Sequence, residues 1–146
     1  MDEPKPISRE LISRQPGAYL LFVDLAAPLA LDIPRLAAPT LVPGCYAYCG
    51  SAHGPGGLRA RIGRHLRRDK APHWHIDRLT AAGRVTGVRA VPAGRECDLL
   101  RDLLDKPGVS VPVPGFGSSD CRACPAHLVM LPAHGGFESI PALACA

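Results

Sequence analysis

The sequence predicts an α/β domain of the α+β kind, in which short strands and short amphipathic helices share one core. Three observations lead there. The runs GAYLLFVD (Gly17 to Asp24) and CYAYCG (Cys45 to Gly50) are short, apolar and aromatic, the signature of strands. The run LRARIGRHLRRDK instead carries Leu58, Ile62 and Leu66 at intervals of four, the stripe of a helix. Sixteen prolines and fifteen glycines punctuate the chain often enough to keep each element short. At 146 residues the chain is one domain of usual size, with a core over about residues 15–131 and an extension at either end.

The elements follow in order. Pro-Gly precedes the strand at Gly17 to Asp24, and a turn at Ala27-Pro28 leads to a partner strand over Leu29 to Ile33 that Pro34 stops. In Cys45 to Gly50, alternation sends Tyr46, Tyr48 and Gly50 to one face and Cys45, Ala47 and Cys49 to the other. The loop SAHGPGG opens the basic helix, on which Arg61, Arg64, His65 and Arg68 are neighbours, so that Arg61 and His65 address one point in space. A second helix spans His73 to Ala82 and ends at Gly83. A strand over Arg84 to Val91 and a helix over Glu96 to Leu104 come next, the latter stopped by Pro107-Gly108. Pro112 to Cys121 is a loop, and Ala126 to Leu131 a short returning strand.

Composition narrows the function. No apolar run reaches the roughly 18 to 20 residues of a membrane span, and the N-terminus does not have the pattern of an export signal. A reducing cytoplasmic setting is expected, with the six cysteines as thiols or metal ligands. Net charge is +4, but Ser51 to Arg95 holds ten Lys/Arg against two Asp, a basic block in an acidic frame. Such a block suits either a phosphate backbone or a solvated helix face.

Gly17-Ala18-Tyr19, Tyr48-Cys49-Gly50, Arg61, His65 and Glu96 occur in an order that resembles the GIY-YIG endonuclease superfamily. The segments YCGSAHGPGGLRARIGRH, HWHID and GFGSSDCRACPAHL are most similar to a branch of it sometimes joined to DNA glycosylases of the endonuclease III type. The resemblance spans about Gly17 to Leu128 and implies a mainly antiparallel central sheet flanked by helices. It also implies a metal-dependent endonuclease that hydrolyses DNA phosphodiester bonds in repair or recombination, with DNA and a repair protein as partners. In that reading Glu96 holds one Mg²⁺ or Mn²⁺, Arg61 grips the scissile phosphate, and Tyr19 and Tyr48 orient or deprotonate the attacking water. A phenol works as a base near neutral pH only if its surroundings lower its pKa. His65, an imidazole, is the preferred general base. Arg59, Arg64, Arg67 and Arg68 would bind backbone phosphates or form a solvated face.

The sequence departs from the superfamily at two points. It contains no asparagine, the residue that many members place after the glutamate helix, and Ser118, Ser119 and Asp120 stand in that region instead. The loop before the basic helix is longer, so Arg61 aligns through an insertion. His73, His75 and Asp77 in HWHID read as a metal trio or as structural polar residues, and Trp74 as a core or a base-stacking residue. Cys121-x2-Cys124-x2-His127 has the spacing of a zinc half-site, with Cys97 or His73 as a further ligand. Two other functions therefore stand beside the nuclease: a nucleic-acid-binding module without cleavage, and a zinc-stabilised interaction domain.

Overall fold

A computed structural model describes residues 11–33, 36, 39–67, 74–117 and 124–132. Its centre is a four-stranded antiparallel sheet in the order β5-β1-β4-β6, built from β1 (Gly17–Leu25), β4 (Gly44–Ala52), β5 (Arg84–Pro92) and β6 (Leu128–Met130). β2 (Leu29–Ala30) and β3 (Thr40–Leu41) form a separate two-stranded ribbon. The helices are α1 (Gly57–Leu66), α2 (His75–Ala82) and α3 (Glu96–Leu104). The mixed α+β class predicted from the sequence is the class observed, with the sheet antiparallel as the resemblance implied.

Strand alternation divides the core into two layers. Tyr19, Leu21, Val23, Leu25 and Tyr46 face Leu58 and Ile62 of α1 and Ile76 and Leu79 of α2. Leu20, Phe22, Ala47 and Cys49 face Leu100 and Leu103 of α3. β1 is covered on both sides, which is why its sequence is almost continuously apolar. The division of Tyr46 and Ala47 to opposite faces agrees with the alternation read from the sequence.

Four elements differ from expectation. Leu29 to Ile33 is not a partner of β1: only Leu29–Ala30 is strand, and it pairs with Thr40–Leu41, because both long edges of β1 are taken by β4 and β5. α1 ends at Leu66, and Arg67 is already extended (φ −80°, ψ 137°). α2 starts at His75, with Trp74 as its N-cap residue. β6 is shorter than Ala126 to Leu131.

The lengthened glycine loop has a structural task. Gly57 takes φ +58°, and a Cβ there would lie 2.1 Å from the Arg14 carbonyl oxygen and 2.5 Å from that of Gln15. These approaches let the first-turn amides of α1 find acceptors, with Leu58 N–H on the Gln15 carbonyl and Arg59 N–H on the Ser13 carbonyl, both at 2.9 Å. The helix is thereby seated on the chain entering β1, which fixes Arg61 relative to Tyr19.

Candidate active site and an adjoining metal-ligand cluster

The end of the sheet where β1 begins and where β4 and β5 finish carries an open cleft of about 210 Å³. Tyr19 comes to it from β1, Tyr48, Gly50 and Ser51 from β4, and Arg61 from α1. Trp74 lies on one side, and Glu96, at the head of α3, with Gly117 and His127 completes the wall. α3 packs on the opposite sheet face from α1, so Glu96 and Arg61 enter from different layers. The cleft thus joins one cationic and one anionic side chain over a tyrosine pair.

Tyr19 is the hub. Its hydroxyl lies 2.6 Å from His65 Nε2, and both side chains are buried. The rings of Tyr19, Tyr48 and His65 cluster with centroids 5.4 to 6.4 Å apart. Arg61 lines the cleft beside Tyr19, and the Tyr19 hydroxyl is the atom His65 reaches, so Arg61 and His65 approach the same tyrosine. Gly50 makes room for the ring, since a Cβ on Gly50 would sit 2.3 Å from Tyr19 Cζ and Oη.

Burial holds the Tyr19 hydroxyl well above the usual phenol range, and the neighbouring Tyr48 pushes the same way, outweighing the downward pull of Arg61. Tyr48 is raised as well, first by burial and then by the Cys49 thiol. The requirement that a catalytic tyrosine be shifted downward is not met: near neutral pH both are neutral phenols. His65 is shielded behind Tyr19 rather than lining the cleft, so it can reach a reacting water only through the Tyr19 hydroxyl.

Trp74 is half-buried, with the guanidinium groups of Arg61 and Arg64 stacked 4.3 and 4.2 Å from its ring centroid. Arg64 also donates two parallel hydrogen bonds, at 2.9 and 3.0 Å, to the carboxylate of Asp77, whose side chain is 1% exposed. The same carboxylate accepts the Trp74 N–H at 2.9 Å and caps α2. Asp77 therefore fixes the arginine–tryptophan stack that forms one wall of the cleft.

Several expected residues have internal tasks instead. Arg64 is committed to Asp77, and Arg59 donates from Nε to the Ile12 carbonyl at 2.8 Å, so neither extends freely as a phosphate-binding side chain. Arg67 is exposed at the end of α1. His75 Nδ1 accepts the Gly117 N–H at 2.9 Å and its ring meets Phe116 edge-on, which makes it a brace for the 113–117 turn. Arg68, His73, Ser118, Ser119, Asp120 and Cys121 lie outside the described residues.

Behind the Glu96 wall, Cys97, Cys124 and His127 bring ligand atoms within 4.8 Å of one another, and this cluster can hold a metal ion. Two of the three residues of the zinc half-site, Cys124 and His127, are thus joined by Cys97 from α3. The His75–Asp77 part of the HWHID trio is not in a metal-ligating group among the described residues. Sequence reasoning missed Ser51 and Gly117 as cleft residues, left Trp74 between core and base stacking, and did not anticipate that His127 lines the cleft as well as joining the cysteines. Trp74 alone carried a signal, as a lone tryptophan beside a basic helix.

Residues 18–141 match the family described as Domain of unknown function DUF123. The chain belongs to that family. The DUF123 match begins at the second residue of β1 and runs past β6, so it contains every residue that lines the cleft and all three of the metal-ligand cluster. No curated protein matches the chain, and no solved structure does. No helix among the described residues is long and apolar enough to cross a membrane.

Proposed function

We propose that this DUF123 domain is a GIY-YIG-type endonuclease that hydrolyses DNA phosphodiester bonds with one Mg²⁺ or Mn²⁺, in DNA repair or recombination. The observation that carries the reading is the meeting of Tyr19, Tyr48, Arg61 and Glu96 in one cleft. These residues are spread over 78 positions of sequence and four elements, and each was singled out by a resemblance blind to their distances.

A carboxylate in an open polar cleft suits a hard cation, which keeps most of its waters and needs few protein ligands. Bound at Glu96, the ion would supply Lewis-acid stabilisation of charge on the phosphoryl oxygens. The chain's own residues do the rest. Arg61 pairs with the phosphate and neutralises the charge that grows as the bond to the leaving oxygen breaks. Tyr48, a neutral phenol, donates a hydrogen bond rather than accepting a proton.

The attacking water loses its proton through a relay. Tyr19 accepts that proton on its hydroxyl oxygen while passing its own to His65 Nε2 across the 2.6 Å contact, so no free tyrosinate forms. The oxygen of the water forms the new bond to phosphorus, and the leaving oxygen takes up a proton from solvent. This assignment keeps His65 as the final proton acceptor and gives Tyr19 the contact with water.

The test is cleavage of supercoiled plasmid and of flapped and branched DNA with Mg²⁺ or Mn²⁺. Glu96→Gln, Arg61→Ala and Tyr19→Phe should each lower the rate by about 100-fold or more, as losing one transition-state partner does. Cleavage equal in wild type and all three variants would refute the assignment. Salt-sensitive binding without cleavage would favour the binding-module reading, to which the absence of asparagine lends weight.

A further inference from the structure

We propose that Cys97, Cys124 and His127 form a zinc site, separate from the carboxylate centre of the cleft, that clips the head of α3 to the segment entering β6. It does not depend on the nuclease reading. Three features of the cluster argue for it. Its ligand atoms converge, all within 4.8 Å of one another, from two parts of the chain that no hydrogen-bonded strand pairing joins. The donor set of two thiols and one imidazole is that of Zn²⁺ and not of Mg²⁺. His127 Nε2 is buried and has no hydrogen-bond partner among the described residues, in a residue only 6% exposed.

That last feature is the most telling. A buried polar nitrogen without a partner is costly to leave, and a lone pair held among sulfur atoms is what a metal ligand requires. The His127 backbone is fixed on both sides, its N–H on the Phe116 carbonyl and its carbonyl accepting the Cys49 N–H, both at 2.8 Å, which holds the imidazole in place. Cys97 and Cys124 Sγ are 2.9 Å apart. A tetrahedral zinc with Zn–S bonds of about 2.3 Å needs its sulfurs about 3.8 Å apart, so the two half-buried side chains must open by somewhat under 1 Å.

An ion has a path to the site. A second cavity, of about 280 Å³, is lined by Cys97 and Cys124 together with Leu100, Leu104 and Pro125, and shares no lining residue with the cleft. His127 closes the cluster toward the cleft, whose wall it forms. Cys49, fully buried in β4, is not in the group whose ligand atoms lie within 4.8 Å of one another, so it is not counted among the ligands. Three protein ligands leave one coordination position for a further donor.

The site would act on the cleft by position. Glu96 immediately precedes Cys97 at the start of α3, whose N-cap residue Arg95 makes no side-chain capping bond. A metal on Cys97 would hold that otherwise uncapped first turn, and with it the Glu96 and His127 parts of the cleft wall, in fixed relation.

The experiment uses the full chain, purified with reductant, stripped by chelator and titrated with Zn²⁺ against a chromophoric competitor, then with Co²⁺. One ion per chain is expected, with a thiolate-to-cobalt charge-transfer band and a rise in Tm on adding zinc. Cys97→Ser and Cys124→Ser should weaken binding by more than about 100-fold, beyond the 10- to 100-fold that follows loss of a supporting contact alone. Cys45→Ser should bind as wild type. If a variant fails to fold, the cobalt spectrum of the wild type decides. Wild-type affinity no higher than that of the variants, a cobalt spectrum without the thiolate band, or a Tm under reductant that zinc does not move would each overturn the proposal. A zinc-loaded protein that cuts no DNA would refute the nuclease reading and leave this one standing.

Discussion

Gly50 offers the sharpest test of how the cleft is built, because a single methyl group should dismantle it. Gly50 stands opposite Tyr19 in the β1–β4 register, and the tyrosine ring lies over the space that a side chain would occupy. In Gly50→Ala the new Cβ would sit 2.3 Å from Tyr19 Cζ and Oη, well inside contact distance. The ring is 1% exposed and tied to His65, so it has nowhere to swing. Overpacking of about 1 to 3 kcal/mol, with about 1 to 3 kcal/mol more as the Tyr19–His65 pair is left unsatisfied, gives a loss of roughly 2 to 6 kcal/mol. For a chain of this size that is a Tm drop of about 5 to 20 °C. Gly54→Ala is the matched control, since nothing lies within 4 Å of a Cβ at that position. It should change stability by no more than about 1 kcal/mol, toward greater stability if anything. Urea unfolding of both variants, and of Gly50→Ala in a Tyr19→Leu background, measures the coupling, which should remove much of the cost. Equal stability of Gly50→Ala and Gly54→Ala would refute the packing argument.

Two further predictions follow from the Asp77 wall and the His75 brace. Asp77→Ala removes both acceptors of Arg64 and the cap of α2, and should cost about 2 to 4 kcal/mol, below the usual loss for a fully buried pair because Arg64 keeps some solvent contact. Fluorescence of Trp74, the only tryptophan, should shift as its stacked arginines loosen, and unchanged stability and emission would contradict the role assigned to Asp77. His75 has its pKa lowered by burial and then by Arg78, so the folded state binds fewer protons than the unfolded one. Its contribution to stability is complete above the ordinary value of 6.5 and is lost as pH falls below it, since protonated Nδ1 can no longer accept the Gly117 N–H. Thermal unfolding between about pH 7.5 and 5.5 should show a steeper fall for wild type than for His75→Ala, and parallel profiles would count against it.

What the sequence disclosed and what it concealed divide along physical lines. β1, β4, β5, α1 and α3 were legible because each buries a face whose period is short and local: two in strands, about four in α1. The fate of Leu29 to Ile33 was not, because pairing depends on which strand edges remain open, and β1 has neither edge to offer. The tyrosines, Arg61 and Glu96 were found only through resemblance, as nothing local to them reveals that a strand end, a helix flank and a helix start from the other layer meet.

The arginines carry this further. Counting charge between Ser51 and Arg95 treats all ten cations alike, yet the fold separates Arg59, Arg61 and Arg64 by what they touch. Arg64 is neutralised by a buried carboxylate thirteen residues away, and Arg59 is anchored on the carbonyl of Ile12. Arg61, three residues before Arg64 and stacked on the same tryptophan, instead lines the cleft beside Tyr19. Arg64 and Asp77 hold the tryptophan, and the tryptophan holds Arg61 beside the tyrosines, so part of the basic block positions the one arginine among the described residues that lines the cleft. On this account Arg64→Ala should act chiefly through Trp74 and Arg61. Its effect on DNA affinity should be largely lost in an Arg61→Ala background, whereas two independent phosphate contacts would give additive losses.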